Sequence, residues 1–268
     1  MEPPTVSAAA ALRSRLPART VGARSRRYPA RIATSNAAAA TVQRSLLPSA
    51  LPPVPGAELA ARFVPGRDGA GGDWYDVFML PSGELGLVIG EVGGRGLPAA
   101  IVMGRMRSAL RAYALETSNP AEVLSRLDRK MQYFEPGALA TVLYAVVQPG
   151  LGRARVSSAG HIPPVIAQPG AEAQLADVPT DVMIGVTPGR TGRRTTILAI
   201  PPGALFCIFT DGLVERRDRS ADEGLARLCK ALTPQAAESA AGAVMAALSD
   251  AAPAPDDIAM LILRRQPQ

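Results

Sequence analysis

The chain has 268 residues, one histidine, two cysteines and no apolar run that approaches bilayer length. A spanning helix needs about 20 consecutive apolar residues, so none is expected. The protein is predicted to be soluble and cytoplasmic, without stable membrane insertion. Cys207 and Cys229 fall in a strand-like and a helix-like run and lack metal-ligand spacing, which predicts reduced, packed thiols. The scarcity of histidine and cysteine argues against zinc or copper, and one imidazole leaves no histidine phosphoryl relay within the chain. His161, in AGHIPP at a strand end, reads as a structural residue rather than a catalytic acid.

Acidic residues are almost missing from the start of the chain. Residues 1–57 carry eight arginines and a single acid, Glu2, so the formal charge of +6 belongs to this arm and the remainder is nearly neutral. A nucleic-acid-binding domain would carry its basic excess on the fold, so nucleic acid is not an expected partner. Residues 1–36, rich in Ala, Arg, Pro and Ser without a hydrophobic period, are predicted to form a disordered basic tail. Their composition overlaps that of an organelle transit peptide, but a periodic apolar face is missing.

Hydrophobic residues make up 47% of the chain, enough for one sizeable core. Residues 37–55 read as a linker helix over Ala37–Leu47 followed by a proline-rich segment, and residues 56–266 as the folded domain. After the strand-like ELAARFV, two strands, Asp73–Leu80 and Leu85–Val92, are joined by the turn Pro81-Ser82-Gly83. A long helix follows from Leu97 to Thr117, with Val102, Met106, Ala109, Leu110 and Tyr113 on its core stripe and Arg105, Arg107 and Arg111 on a solvated face. A second helix enters through Ser118-Asn119-Pro120. Short strands bounded by Gly or Pro come next, then two helices near Asp222–Leu232 and Pro234–Leu248, and a last strand, IAMLILR. Strands and helices in separate blocks predict an α+β fold with antiparallel sheets covered by helices.

Four acidic positions share one context: Asp73 in GGD, Glu91 in IGEV, Asp211 in FTDG, and Asp256 with Asp257 in PDDI. Each lies at a strand boundary beside glycine, proline or a second acid. One reading is ordinary turn chemistry. The other is a cluster at one end of a sheet, where several carboxylates cannot all ionise without a cation; oxygen ligands in that number suit Mg²⁺ or Mn²⁺. Gly94-Arg95-Gly96-Leu97-Pro98-Ala99 also has the form of a dinucleotide fingerprint, but no strand closely follows its helix and no acid stands at a strand tip about 20 residues on.

Taken in order, QRSLLP, GGDWYDVF, GLVIGEVGGRGLPAA, AGHIPP, FTDGLVE and DDIAMLIL resemble the PP2C superfamily of metal-dependent serine phosphatases, in the bacterial sporulation and stress-response branch that regulates sigma factors. The resemblance runs from about residue 42 to residue 264. It implies a pair of packed antiparallel sheets flanked by helices, and a site with two Mn²⁺ or Mg²⁺ ions held by Asp73, Glu91, the Val92 carbonyl, Asp211 and Asp256. It further implies a phosphoserine or phosphothreonine substrate on an anti-sigma-factor antagonist, and a coupling role for the helix from Leu97. Self-association as a homodimer through the Ala37–Leu47 helix is a further expectation from resemblance.

The chain departs from the family at GEVGGRG, where the usual pattern is G-D-V-x-G-H/N-G. Glu91 stands at the metal-bridging aspartate, and its additional methylene moves the carboxylate by roughly 1.5 Å. Arg95 replaces a neutral residue and brings a charge able to bind phosphate or to stand in part for a cation. Two functions follow as expectations: a metal-dependent phosphatase with altered metal affinity, or an inactive phosphatase-fold module that binds a phosphoprotein.

Overall fold

The structure, a computed structural model, describes residues 29–67, 71–186, 192–216, 219–249 and 254–267. The predicted tail lies mostly outside them.

Two sheets pack face to face and helices cover both outer faces. The elements in chain order are α1 (Pro29–Leu46), β1 (Ala57–Val64), β2 (Asp73–Met79), β3 (Leu85–Val92), α2 (Leu97–Glu116), α3 (Pro120–Phe134), β4 (Ala140–Val147), β5 (Arg153–Ala159), β6 (Val165–Ala167), β7 (Gln174–Leu175), β8 (Thr180–Asp181), β9 (Thr196–Ala199), β10 (Leu205–Phe209), a 3₁₀ turn (Asp211–Leu213), α4 (Ala221–Ala231), α5 (Ala237–Leu248) and β11 (Ile258–Arg265). One sheet has the order β1-β11-β10-β6-β7 and the other β2-β3-β4-β5-β8, with β9 also on β5. All pairings are antiparallel except β5 with β8. The α+β sandwich expected from the sequence is therefore the observed architecture.

Alternation along the strands builds three cores. Tyr75, Leu87, Ile89 and Leu143 meet Phe206, Ile208, Leu261 and Leu263 between the sheets. Trp74, Val88, Val142 and Tyr144 face α2 and α3, while Cys207, Phe209, Met260 and Ile262 face α4 and α5. Sheets covered on both faces bury their central strands throughout, as in β10, which is wholly apolar, and β4, whose one polar residue is Thr141. Both cysteines are free thiols, Cys207 buried and Cys229 half-buried.

Local signals set most boundaries. Asn119 caps α3 by accepting from the Ala121 N–H at 3.1 Å, with Pro120 in the first turn. Ser220 and Glu223 form a reciprocal capping box on α4. Three expectations change. α1 begins at Pro29, eight residues before the expected Ala37. The fully buried stripe of α2 is Ala99, Ala100, Met103, Met106, Leu110 and Ala114, so Val102, Ala109 and Tyr113 lie at its margin. Nor are the α2 arginines all solvated: Arg107 and Arg111 turn inward onto Asp76, which is fully buried on the outer face of β2. A buried carboxylate needs paired charge, and the helix supplies it.

Candidate active site

The register of β2, β3 and β4 places Asp73 opposite Glu91, and Glu91 opposite Thr141. Since side chains alternate faces, these three share the inter-sheet side with Tyr75, Ile89 and Leu143, at the end of that core. Asp73 is 2% exposed and Glu91 is half-buried. From the other sheet, β10 runs through Thr210 into the 3₁₀ turn that carries Asp211, and β11 starts just after Asp256 and Asp257. Thr210 N–H donates to the Ala259 carbonyl at 2.9 Å, and Ala259 N–H donates to Thr210 Oγ1 at 2.9 Å, which fixes the two chain ends to each other.

The electrostatics record the convergence. Burial holds the Asp73 carboxyl well above the usual carboxylate range, and the charges of Glu91, Asp211 and Asp257 push it further; a hydrogen bond from Thr210 opposes them. Asp73 Oδ2 is buried with no hydrogen-bond partner among the described residues. Space is equally restricted. A β-carbon on Gly72 would sit 2.1 Å from the Val92 carbonyl oxygen, and one on Gly212 would sit 2.1 Å from the Asp257 carbonyl oxygen. Backbone segments therefore approach each other beside the acids where only glycine fits.

The two final acids divide their roles. Asp256 is exposed, and its Oδ1 accepts the Asp257 N–H at 2.9 Å. Asp257 is 1% exposed. Its Oδ1 accepts from Gly66 N–H at 2.7 Å, and its Oδ2 accepts from Gly71 N–H at 2.9 Å and Gln43 Nε2 at 2.7 Å. Gln43 Nε2 also faces the carbonyls of Gly71 at 3.2 Å and Asp73 at 3.1 Å. Asp257 thus ties the loop before β2 to α1 and β11. In the sequence Asp257 stands out only as a companion of Asp256, and Gln43 lies in a motif without an assigned role. No local signal marks Gln43, because α1 also carries Ser35, Asn36, Thr41 and Arg44.

Arg95 is exposed on the loop between β3 and α2, flanked by Gly94 and Gly96 at positive φ. His161 is buried and joins the two sheets: Thr141 Oγ1 lies 2.8 Å from Nδ1 and the Phe209 carbonyl 3.1 Å from Nε2. The carbonyl only accepts, so Nε2 carries the proton; in the neutral ring the Thr141 hydroxyl then donates to Nδ1. The structural reading of this histidine agrees with both contacts. The dinucleotide reading does not survive the topology, because β3 pairs antiparallel with both neighbours and α2 leads directly into α3.

Among the described residues, no three His, Cys, Asp or Glu side chains are drawn close enough together to hold a metal ion as they stand. The chemistry of the donor set nevertheless fits a hard divalent cation. Asp73 Oδ2 is an orphaned buried oxygen, three further carboxylates act on it, and the Val92 carbonyl lies in the same cramped corner.

The stage II sporulation protein E (SpoIIE) family matches over residues 81–266. Protein IcfG of Synechocystis sp. is 27% identical over 222 residues, which is 72% of this chain and 34% of that protein. The phosphoserine phosphatase RsbU of Bacillus subtilis is 29% identical over 126 residues, 47% of this chain and 37% of that protein. The chain thus spans about a third of the length of these curated relatives. Among solved structures, the RsbU and RsbW domains of Rv1364c from Mycobacterium tuberculosis superpose with a TM-score of 0.70 at 29% identity, covering 81% of this chain and 64% of that one.

Proposed function

The chain belongs to the stage II sporulation protein E (SpoIIE) family, the sporulation and stress-response branch of the PP2C-type serine phosphatases, and from that premise we propose that it is a divalent-metal-dependent protein phosphatase. Its substrate is a phosphoserine or phosphothreonine on a regulator such as an anti-sigma-factor antagonist. The observation that carries this reading is the buried, partnerless Asp73 oxygen with Glu91, Asp211 and Asp257 acting on it. Asp73, Glu91, Asp211, Asp256 and the Val92 carbonyl would hold two Mn²⁺ or Mg²⁺ ions. When bound, such ions activate water and draw charge from the phosphoryl oxygens.

The chain's own residues supply the remainder. Asp257 and Gln43 hold the loop before β2, so that Asp73 meets Glu91 in fixed register. His161 and Thr141 tie β4, beside Glu91, to the end of β10. Arg95, exposed on the loop four residues beyond Glu91, is the group offered to the phosphate of an incoming substrate. Residues 56–266 form the phosphatase domain in this reading, since β1 completes the sheet with β11, and residues 37–55 are its linker. No helix among the described residues is long and apolar enough to cross a membrane, in keeping with a cytoplasmic site of action.

Glu91 favours a second reading. A ligand displaced by about 1 Å costs on the order of a hundredfold in rate, so a fold that binds phosphoprotein without hydrolysing it is the alternative. Phosphate release from an aryl phosphate and a phosphoserine protein, with Mn²⁺ or with chelator, distinguishes the two. Mn²⁺-dependent release that falls roughly a hundredfold or more in Asp211→Asn and rises in Glu91→Asp supports the phosphatase. Silence in the native chain with release by Glu91→Asp supports the binding module.

A further inference from the structure

We infer that the exposed apolar patch of Ile101, Tyr133, Phe134 and Val186, with its basic surroundings, is the surface on which the folded body of the phosphoprotein substrate docks. The inference rests on the proposed phosphatase function and adds to it where the substrate is held outside the carboxylate site.

Among the described residues eight large hydrophobic side chains are exposed, and these four belong to one region. Tyr133 and Phe134 are 79% and 65% exposed at the end of α3, their rings edge to face at 4.8 Å. Two adjacent aromatics that pack on each other and not on the core leave apolar surface unpaid by burial. Arg105 on α2 donates to both carboxylate oxygens of Glu135 at 2.9 Å, which sets the first turns of α2 against the end of α3. Ile101 is one helical turn before Arg105 and so on the same side. Asp128 Oδ1 accepts from Gln132 Nε2 and from Gly185 N–H, both at 2.9 Å, which brings Gly185 and hence Val186 to the last turns of α3.

A short segment connects the patch to the site. Gly93 N–H, two residues beyond Glu91, donates to the Leu139 carbonyl at 2.8 Å, and Leu139 leads into β4 beside Glu91. Phe134 is five residues from Leu139, a reach of at most about 18 Å. A specific interface covers about 800 Å² per partner, roughly 30 Å across. Phe134 thus lies within one such footprint of Leu139, and a folded protein that presents its phosphoserine to Asp73 and extends along this segment reaches the patch. Charge agrees: residues 93–105 and 128–138 carry Arg95, Arg105, Arg129 and Lys130 against Asp128 and Glu135. That basic excess attracts a phosphorylated, acidic partner, whereas the carboxylates within the site do not. Exposed aromatic residues and arginine are the residue types enriched in interaction hot spots.

The test compares the native chain with Tyr133→Ser/Phe134→Ser and with Ile197→Ser, an equally exposed control on β9. The probes are a phosphoserine-bearing anti-sigma-factor antagonist, the nine-residue peptide around the same phosphoserine, and p-nitrophenyl phosphate. The double variant is expected to lose at least tenfold in kcat/KM on the protein, mainly through KM, and to stay within twofold on the peptide and aryl phosphate. Ile197→Ser should match the native chain on all three. Equal losses on protein and peptide, or no loss on the protein, overturn the inference. If the native chain hydrolyses none of the probes, the phosphatase reading fails, and docking is read by titration calorimetry with the phosphorylated antagonist. Binding weakened at least tenfold by the double substitution then upholds the patch; unchanged or undetectable binding to the native chain overturns it. Sedimentation that shows the patch buried in a dimer, dissociated by the same variant, also overturns it.

Discussion

A β-carbon at residue 72 would sit 2.1 Å from the Val92 carbonyl oxygen. Gly72→Ala must therefore push the start of β2 away from the end of β3, although the residue's own backbone tolerates alanine. Overpacking of this kind costs about 1–3 kcal/mol. The expected result is that loss in urea unfolding together with a weakened response to Mn²⁺; a variant as stable and as responsive as the native chain would show that the corner has slack. The glycines were visible in GGDW as turn residues, but close approach by a backbone 20 residues away was not. Glu91 shows the reverse case. Its departure from the family pattern was plain in the sequence, and the register opposite Asp73 gives the added methylene its meaning.

At the scale of elements, the connection between β2 and α2 depends on Asp76. Arg111 Nε and Nη2 donate to its two oxygens at 2.6 and 2.7 Å, Arg107 Nη2 donates at 3.1 Å, and the Val77 N–H adds a bond at 3.0 Å. The Arg111 guanidinium also lies 5.2 Å from the centre of the Phe78 ring. Removing one partner of a buried ion pair costs about 3–5 kcal/mol, and the partial exposure of Arg111 reduces the expectation for Asp76→Ala to about 2–3 kcal/mol. Chemical denaturation should show that loss, largely recovered in Asp76→Leu/Arg107→Met/Arg111→Leu, where charge and partner are removed together. The helical period identified α2 but not which polar residues fold inward, since that depends on the face of β2 it meets. β8 escaped the sequence reading for a related reason: two residues, Thr180 and Asp181, make a strand only because β5 offers an edge.

For the molecule as a whole, several carboxylates converge where two sheets end, and their mutual repulsion works against the fold. A cation that binds only the folded chain at one hundred times its Kd adds about 2.7 kcal/mol. For a domain of this size that corresponds to a rise in Tm of roughly 5–10 °C. Calorimetry with millimolar Mn²⁺ against chelator is expected to show such a rise. Asp73→Asn is expected to raise the Tm without cation, by relieving a buried charge, and to abolish most of the cation's effect. If Mn²⁺ stabilises both chains equally, the ion binds elsewhere.

The sequence by itself determined the elements and their order. Caps, prolines and the alternation of apolar residues act over a few positions, and they set the ends of α3, α4 and most strands. It also determined which acids stand at strand ends and, through its ordered motifs, the family. Only the tertiary structure decided which polar residues are interior: Asp257 gathering Gly66, Gly71 and Gln43, Asp76 gathering two arginines, and His161 spanning the sheets. Those contacts join residues from 20 to 214 positions apart. A polar side chain becomes buried when distant acceptors and donors arrive to satisfy it, and no local pattern encodes their arrival.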